Sequence, residues 1–210
     1  MINKLFLLLT LLLLTVTAGA QVRSISSSDY WTAIRNSSGS GDAKTTREIE
    51  SSQFWEEGKL TETHNITIET IVPDHIHYLR ESTTLKAKTS LEMFRVGEQY
   101  YCKQNKAAWK KSNESCLGES MSGFAADSDT DFTLEDATLN GKAVKLYVLR
   151  VTEKYRDGVI NVTYKTWIGE DGRRTRSETE RLNQPERTRF VRSTSYEYDP
   201  ANIKIEAPIR

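Results

Sequence analysis

Arg47-Glu-Ile-Glu-Ser-Ser-Gln-Phe-Trp55 and Lys59-Leu-Thr-Glu-Thr-His-Asn-Ile-Thr-Ile-Glu69 stand on either side of Glu56-Glu57-Gly58. Two extended runs around a glycine-bearing turn read as a β-hairpin. In the second run Leu60, His64, Ile66 and Ile68 fall on one face, with Thr61, Thr63, Asn65 and Thr67 opposite. That period of two is the mark of a strand buried on one side. The same grammar then repeats toward the C-terminus. Pro73-Asp74 leads into His75 to Ser82, and Leu91 to Val96 turns at Gly97 into Gln99 to Gln104. Lys142 to Glu153, Val159 to Glu170, Arg173 to Leu182 and Arg187 to Asp199 follow, separated by Asp157-Gly158, Asp171-Gly172 and Pro185. A short final strand is expected at Ile203 to Ala207. The fold class is mainly β, an α+β chain built on a meandering antiparallel sheet of nine or ten strands.

Two strands depart from simple alternation. Lys142 to Glu153 sets Val144, Leu146 and Val148 against Tyr147, Leu149 and Val151, so it is apolar on both faces. Val159 to Ile168 groups Ile160, Val162, Tyr164 and Ile168, with Trp167 and Val159 opposite. A sheet with one solvated face alternates more cleanly, so these strands are expected to be covered on both sides or to curl. Little helix is predicted. Ser27-Ser28-Asp29 caps a short one through Tyr30, Trp31 and Ile34, broken by Asn36 to Gly41. Ser112 to Asp136 is rich in Ser, Gly, Ala and Asp, and Leu117, Met121 and Phe124 fall at roughly helical spacing. It reads as a short helix with loops lying across the sheet.

The N-terminus carries a different message. Lys4, the apolar run from Leu5 to Val16, and Ala18-Gly-Ala20 before Gln21 have the order of a cleaved export signal. The run is too short to span a bilayer, which takes about 20 residues. No cysteine follows the cut to take a lipid, so the expectation is residues 1–20 as signal and 21–210 as a single domain, periplasmic or secreted and without a membrane anchor. Losing Lys4 with the signal leaves 28 basic against 29 acidic groups. Such a balance argues against nucleic acid, which needs a concentrated basic surface. Cys102 and Cys116 are the two cysteines, and in an exported chain such a pair reads as a disulfide.

Motifs with chemical content are few. Gly118-Glu-Ser120-Met-Ser122-Gly123 misses the nucleophile-elbow spacing by one residue. Asp127, Asp129 and Asp131 open like a calcium loop, but Phe132 and Thr138 occupy the positions that need glycine and glutamate. His75, His77 and His64 could converge on zinc only if neighbouring strands brought them to one face. Arg173, Arg174, Arg176, Arg181, Arg187, Arg189 and Arg192 make the last third basic at alternate positions, balanced by Glu178, Glu180 and Glu186. No catalytic residue, metal or cofactor is expected.

Three stretches together carry a family resemblance. Phe94-Arg-Val-Gly-Glu-Gln-Tyr-Tyr101 with Lys106-Ala-Ala-Trp109-Lys-Lys resembles a hairpin of periplasmic lipoprotein-carrier (LolA/LolB-like) domains and related lipid carriers. Gly141-Lys-Ala-Val-Lys-Leu-Tyr147 followed by Thr166-Trp167-Ile168-Gly-Glu-Asp-Gly172-Arg-Arg174 is similar to a strand pair of that group, and Tyr196 to Pro208 to its closing strand. The resemblance implies an incomplete, curved half-barrel with short helices over its concave face. It also implies a non-enzymatic carrier of a lipid, a lipidated protein or another hydrophobic ligand. The expected cavity lining is Trp31, Ile66, Ile68, Tyr78, Met93, Leu146 and Tyr164, with Met121 and Phe124 on a lid anchored at Cys116. The competing expectation is a non-catalytic module that binds an envelope protein through its arginines and aromatic residues.

Overall fold

The computed structural model describes residues 21–38, 42–117, 128–156 and 158–209. The expected signal, the Gly118 to Gly123 motif, Asp127, and the proposed lid residues Met121 and Phe124 lie outside the described residues. In chain order the elements are β1 (Arg23–Ser24), α1 (Ser27–Ser37), β2 (Thr45–Glu56), β3 (Lys59–Ile71), β4 (His75–Thr84) and β5 (Lys88–Val96). They continue with β6 (Gln99–Gln104), β7 (Lys110–Ser112), β8 (Ser128–Leu139), β9 (Lys142–Tyr155), β10 (Gly158–Gly169), β11 (Arg174–Gln184) and β12 (Thr188–Tyr198).

The twelve strands of the described residues join one antiparallel sheet in the order β1-β8-β9-β10-β11-β12-β2-β3-β4-β5-β6-β7. The sheet is two meanders, β8 to β12 and β2 to β7, zipped together where β12 pairs with β2. It is not closed: β1 and β7 are its edges. The hairpin turns explain the register. Glu57 and Gly58 have φ of 49° and 78°, and Asn140 and Gly141 have 52° and 78°. Positive φ at both central residues is the turn whose twist matches that of the strands it joins.

The helix sits where its ends are satisfied. Ser26 accepts a hydrogen bond from the Asp29 amide at 3.0 Å, one residue earlier than the cap expected from the sequence. Asp29 in the first turn and Arg35 in the last complement the helix dipole. Tyr30 is 2% exposed and is the centre of the main core cluster, with Leu149, Val151, Ile160 and Val162. Ile25, Ile34, Phe132, Tyr147 and Tyr164 complete it. Each such aliphatic or aromatic burial contributes about 1.5–3 kcal/mol. We call the face that carries α1 the inner face.

Four expectations need correction. The stretch Ser112 to Asp136 is not a helix at its C-terminal end: from Ser128 it is β8, paired with β9 along its whole length. One helix, α1, is present among the described residues. Ile203 to Ala207 joins no ladder, because both edges of β12 are already taken by β11 and β2. Leu60 does not share a face with His64: a register shift sets Phe54 opposite Glu62 but Trp55 opposite Leu60, which moves Leu60 to the outer face. In β9, by contrast, Val148 on the outer face is 4% exposed and Leu149 on the inner face 2%, as the two-sided apolar pattern requires.

Candidate functional site

Register decides which side chains meet. Across β12, β2, β3, β4, β5 and β6, cross-strand partners run Tyr196, Glu48, Ile68, Tyr78, Met93, Cys102 on the inner face. Ile66, Arg80 and Leu91 form the next row. Tyr78 and Met93 are buried, and Ile66 and Ile68 are half-buried. Four of the residues expected to line a cavity, Ile66, Ile68, Tyr78 and Met93, are therefore contiguous. Cys116 is bonded to Cys102 with Cα atoms 6.3 Å apart, within normal disulfide reach. The same tether brings the Ser115 hydroxyl to the sulfur of Met93 at 3.7 Å. The chain after β7 thus folds back over this part of the inner face.

The other expected residues are elsewhere. Tyr164 belongs to the α1 cluster, and Trp31 on α1 meets Tyr30 edge-on at 5.1 Å with 38% of its surface exposed. Tyr164 and His64 end one row, Tyr164–Thr179–Arg192–Ser52–His64, four strand steps long. That is about 19 Å along a sheet. Leu146 pairs with Trp167 on the outer face, opposite to Tyr164. The inner face has two apolar ends, with a polar middle of Ser177, Thr179, Arg192, Thr194, Glu50 and Ser52 between them.

Two clefts lie at the two ends of that polar middle. One of about 180 Å³ lies between the C-terminus of α1 and the sheet, lined by Ser38, Glu48, Arg174, Tyr196 and Tyr198. Arg174 donates to the Ile34 carbonyl at 3.3 Å and to the Ser38 hydroxyl, and its guanidinium lies 5.5 Å over Tyr196. Burial pushes the Glu48 carboxyl up, with Arg174 opposing and Glu50 adding to the rise. Burial likewise pushes the Tyr30 phenol up to about 12, against the pull of Arg174. A larger cleft of about 460 Å³ lies at the end of the inner face near the β2–β3 and β11–β12 turns. Phe54, Phe190, Arg181, Asn183 and Arg192 line it.

The outer face is a charged lattice. Arg47 bridges Glu69 at 2.9 Å and Glu197 at 3.0 Å. His77 lies between Glu69 at 3.3 Å and Glu92 at 3.1 Å, stacked on Phe94 at 4.3 Å. Burial raises Glu69, but hydrogen bonds from Arg47 and His77 outweigh it and hold the carboxyl below its usual range. Trp109 packs on Phe94 at 5.4 Å, which places the tryptophan singled out in the sequence on the outer side. His75 and His77 share that face while His64 is on the inner one, hydrogen-bonded to Ser82 at 2.7 Å. The three histidines do not converge. Asp129 and Asp131 pair with Lys154 at 2.7 Å and Arg150 at 3.1 Å instead of forming a calcium loop. Among the described residues no group of three His, Cys, Asp or Glu is placed to hold a metal ion. No helix among them is long and apolar enough to cross a membrane.

The sequence signal nearest to these clefts was the run of arginines, balanced by glutamates; the clefts themselves come from register and carry no motif. No protein-family profile matches the chain, and no curated protein matches it. Solved structures similar to it include a DUF1329 family protein from Desulfovibrio piger (11% identity, 84% of this chain and 94% of that chain, TM-score 0.35). An outer membrane lipoprotein-sorting protein domain from Vibrio parahaemolyticus is similar over 83% of this chain and 92% of its own, at 11% identity and a TM-score of 0.33. A LolA superfamily protein from Nitrosomonas europaea is similar over 85% and 94%, at 7% identity and a TM-score of 0.30. The latter two carry the family names that the sequence resembles. The fold itself rests on the strand order and register described above.

Proposed function

We propose that the chain is an exported carrier, without catalytic activity, that binds a lipid, a lipoprotein acyl chain or another hydrophobic ligand on its inner face. The observation that carries this reading is the contiguous row Ile68, Tyr78 and Met93, with Ile66 and Leu91 on either side of Arg80 in the next row. The main core cluster, with α1 over β8 to β10, does not include this row. A bound hydrocarbon gains about 25 cal/mol for each Å² of surface removed from water. Met93 suits varied chains because its thioether adapts its shape. The disulfide-tethered stretch up to Leu117 then serves as the fixed end of a cover, and the curvature of a half-barrel would wrap the ligand. Native mass spectrometry of gently purified protein should show a co-purifying lipid, and Ile68→Asp should remove it. Absence of any lipid, together with failure to bind fatty-acid probes, overturns the carrier. In the same sample the mature chain should begin at Gln21; an uncleaved start would contradict export.

A second reading has its own observation. Leu182, Arg189, Trp55 and Leu60 form a cross-strand row on the outer face, with Leu60 43% and Leu182 36% exposed. The Arg189 guanidinium lies 4.9 Å over Trp55. Aromatic and arginine residues are the types enriched at interfaces, so this row fits an envelope protein partner. A stable complex lost on Trp55→Ala, in protein that carries no lipid, selects this reading over the carrier.

A further inference from the structure

The geometry points to an anion-selective head-group site in the 460 Å³ cleft: the ligand is an amphiphile with a carboxylate or phosphate head, held by Arg181 and Arg192 over the rings of Phe54 and Phe190. This inference rests on the carrier reading and adds the chemical class of its ligand.

The cleft is built from four adjacent inner-face positions. Phe190 and Phe54 are direct cross-strand partners, with ring centroids 4.7 Å apart. Arg181 is the partner of Phe190 on its other side, and Arg192 follows two residues along the same strand, its guanidinium 5.2 Å over the Phe190 ring. Two cationic forks therefore flank one aromatic floor. Asn183 stands at the same wall, its amide donating to the Glu186 carboxylate at 2.6 Å.

The arginines of this sheet are not used alike. On the outer face they are neutralised: Arg189 by Glu180 at 2.7 Å and Arg47 by Glu69 and Glu197 across the ladder, and Arg176 by Glu178 along its own strand. Inner-face Arg174 is occupied by Ser38 and the Ile34 carbonyl. Among the described residues Arg181 makes no ion pair, and its charge acts on the neighbouring Tyr155 and Tyr164 phenols. Among the described residues Arg192 makes one ion pair, to Glu50 at 3.3 Å through one of its five N–H donors, and its charge also acts on Tyr164. Arg189, paired with Glu180, and one acid, Glu56, also border the cleft. Guanidinium forks match the paired oxygens of carboxylate and phosphate, and bonds to such ions are about twice as strong as neutral ones. A free small anion would gain nothing from the phenyl floor, whereas the first methylenes of a chain would. From that floor the inner face runs through the His64 position to Ile66 and Ile68 along β3, so head and chain subsites are continuous.

The test compares binding of palmitate and hexadecyl phosphate with that of hexadecan-1-ol, acetate and inorganic phosphate. Wild-type protein should bind the two charged amphiphiles about tenfold or more tighter than the alcohol, the factor supplied by one charge-assisted hydrogen bond. The double variant Arg181→Gln/Arg192→Gln should lose that preference while keeping its affinity for hexadecan-1-ol. Arg150→Gln, on the far outer face, should change neither. Binding of the alcohol and the acids alike overturns the head-group site and leaves the carrier standing. Binding of none of the long-chain probes overturns both. Acetate or inorganic phosphate binding as well as the amphiphiles shows an anion site with no chain, which also overturns the inference.

Discussion

The Ser115 hydroxyl meets the sulfur of Met93 at 3.7 Å, one residue before the bridge from Cys116 to Cys102. Met93 is itself the cross-strand neighbour of Cys102, so bridge and contact lie over the same patch. Replacing both cysteines by serine should lower the stability of the folded protein by about 3 kcal/mol, the chain-entropy value for a loop of this length. Urea unfolding at equilibrium measures it. A loss below about 1 kcal/mol would mean that the stretch from Ser112 to Leu117 is held by its other contacts and not by the bridge.

Tyr30 predicts a loss of stability in strong alkali. Its phenol titrates near 10 in the unfolded chain and is pushed up to about 12 in the folded one. A raised folded value means that the native state holds this proton longer, so the contribution is complete below pH 10 and falls as pH rises toward 12. Tyr30→Phe should flatten that part of the pH–stability curve without disrupting the fold. Tyr30→Ala should cost about 3–5 kcal/mol by opening a cavity under α1. If the phenylalanine variant keeps the full alkaline decline, other groups cause it.

Acid acts on a different residue. Glu69 is held below its usual range by Arg47 and His77 despite partial burial. Its contribution is present above the unfolded value of 4.5 and is lost as pH falls through the lower folded one. Glu69→Gln should therefore weaken the protein at neutral pH and reduce the steepness of acid unfolding below pH 4.5. Chemical denaturation at several pH values compares the two proteins; parallel curves would show that the Arg47–Glu69–His77 chain is energetically silent.

Gly141 has a φ of +78° with nothing within 4 Å of where a side chain would begin. Gly141→Ala meets no clash but forces an L-residue into the left-handed region, so it should cost about 1–2 kcal/mol. Gly141→Asn should cost less, because asparagine tolerates that region. Thermal unfolding ranks the three. Equal stabilities would mean that the β8–β9 turn relaxes freely.

That same turn shows where the sequence was legible and where it was not. Strands whose apolar residues alternate with polar ones, such as His64 to Ile68, were readable because the two sets point to opposite faces of the sheet. The strand β8 carries the same alternation, Thr130, Phe132 and Leu134 against Asp129, Asp131 and Glu135. Its acidic outer positions make it look like a loop, since the charges of Asp129 and Asp131 are balanced by Lys154 and Arg150 across the hairpin on β9. Asn140-Gly141, among the strongest hairpin signals, was the local clue that a strand precedes it. The reverse error occurred at Ile203 to Ala207, where alternation is present but no free edge remains beside β12. The candidate site was half visible. Ile66, Ile68, Tyr78 and Met93 could be grouped by face, whereas Leu146 and Tyr164 could not be separated without the register that puts them on opposite sides. Nothing local distinguishes Arg181 from Arg189; only the parity of β11 and β12 leaves one paired with Glu180 and the other facing the cleft.

The seam between β12 and β2 has a consequence for how the chain must assemble. Tyr198 lies opposite Thr46 and Thr188 opposite Glu56, so the last strand of the chain completes the bond between its two halves. Every other long ladder joins neighbours in sequence, apart from the short β1 contact, and can zip as soon as its turn forms. A protein emerging through a membrane N-terminus first would present β2 with an empty edge until residues 188–198 arrive. Throughout that interval the Thr45 to Glu56 edge stands open to any extended segment nearby, which makes it the place where a chaperone or a second unfinished copy would attach.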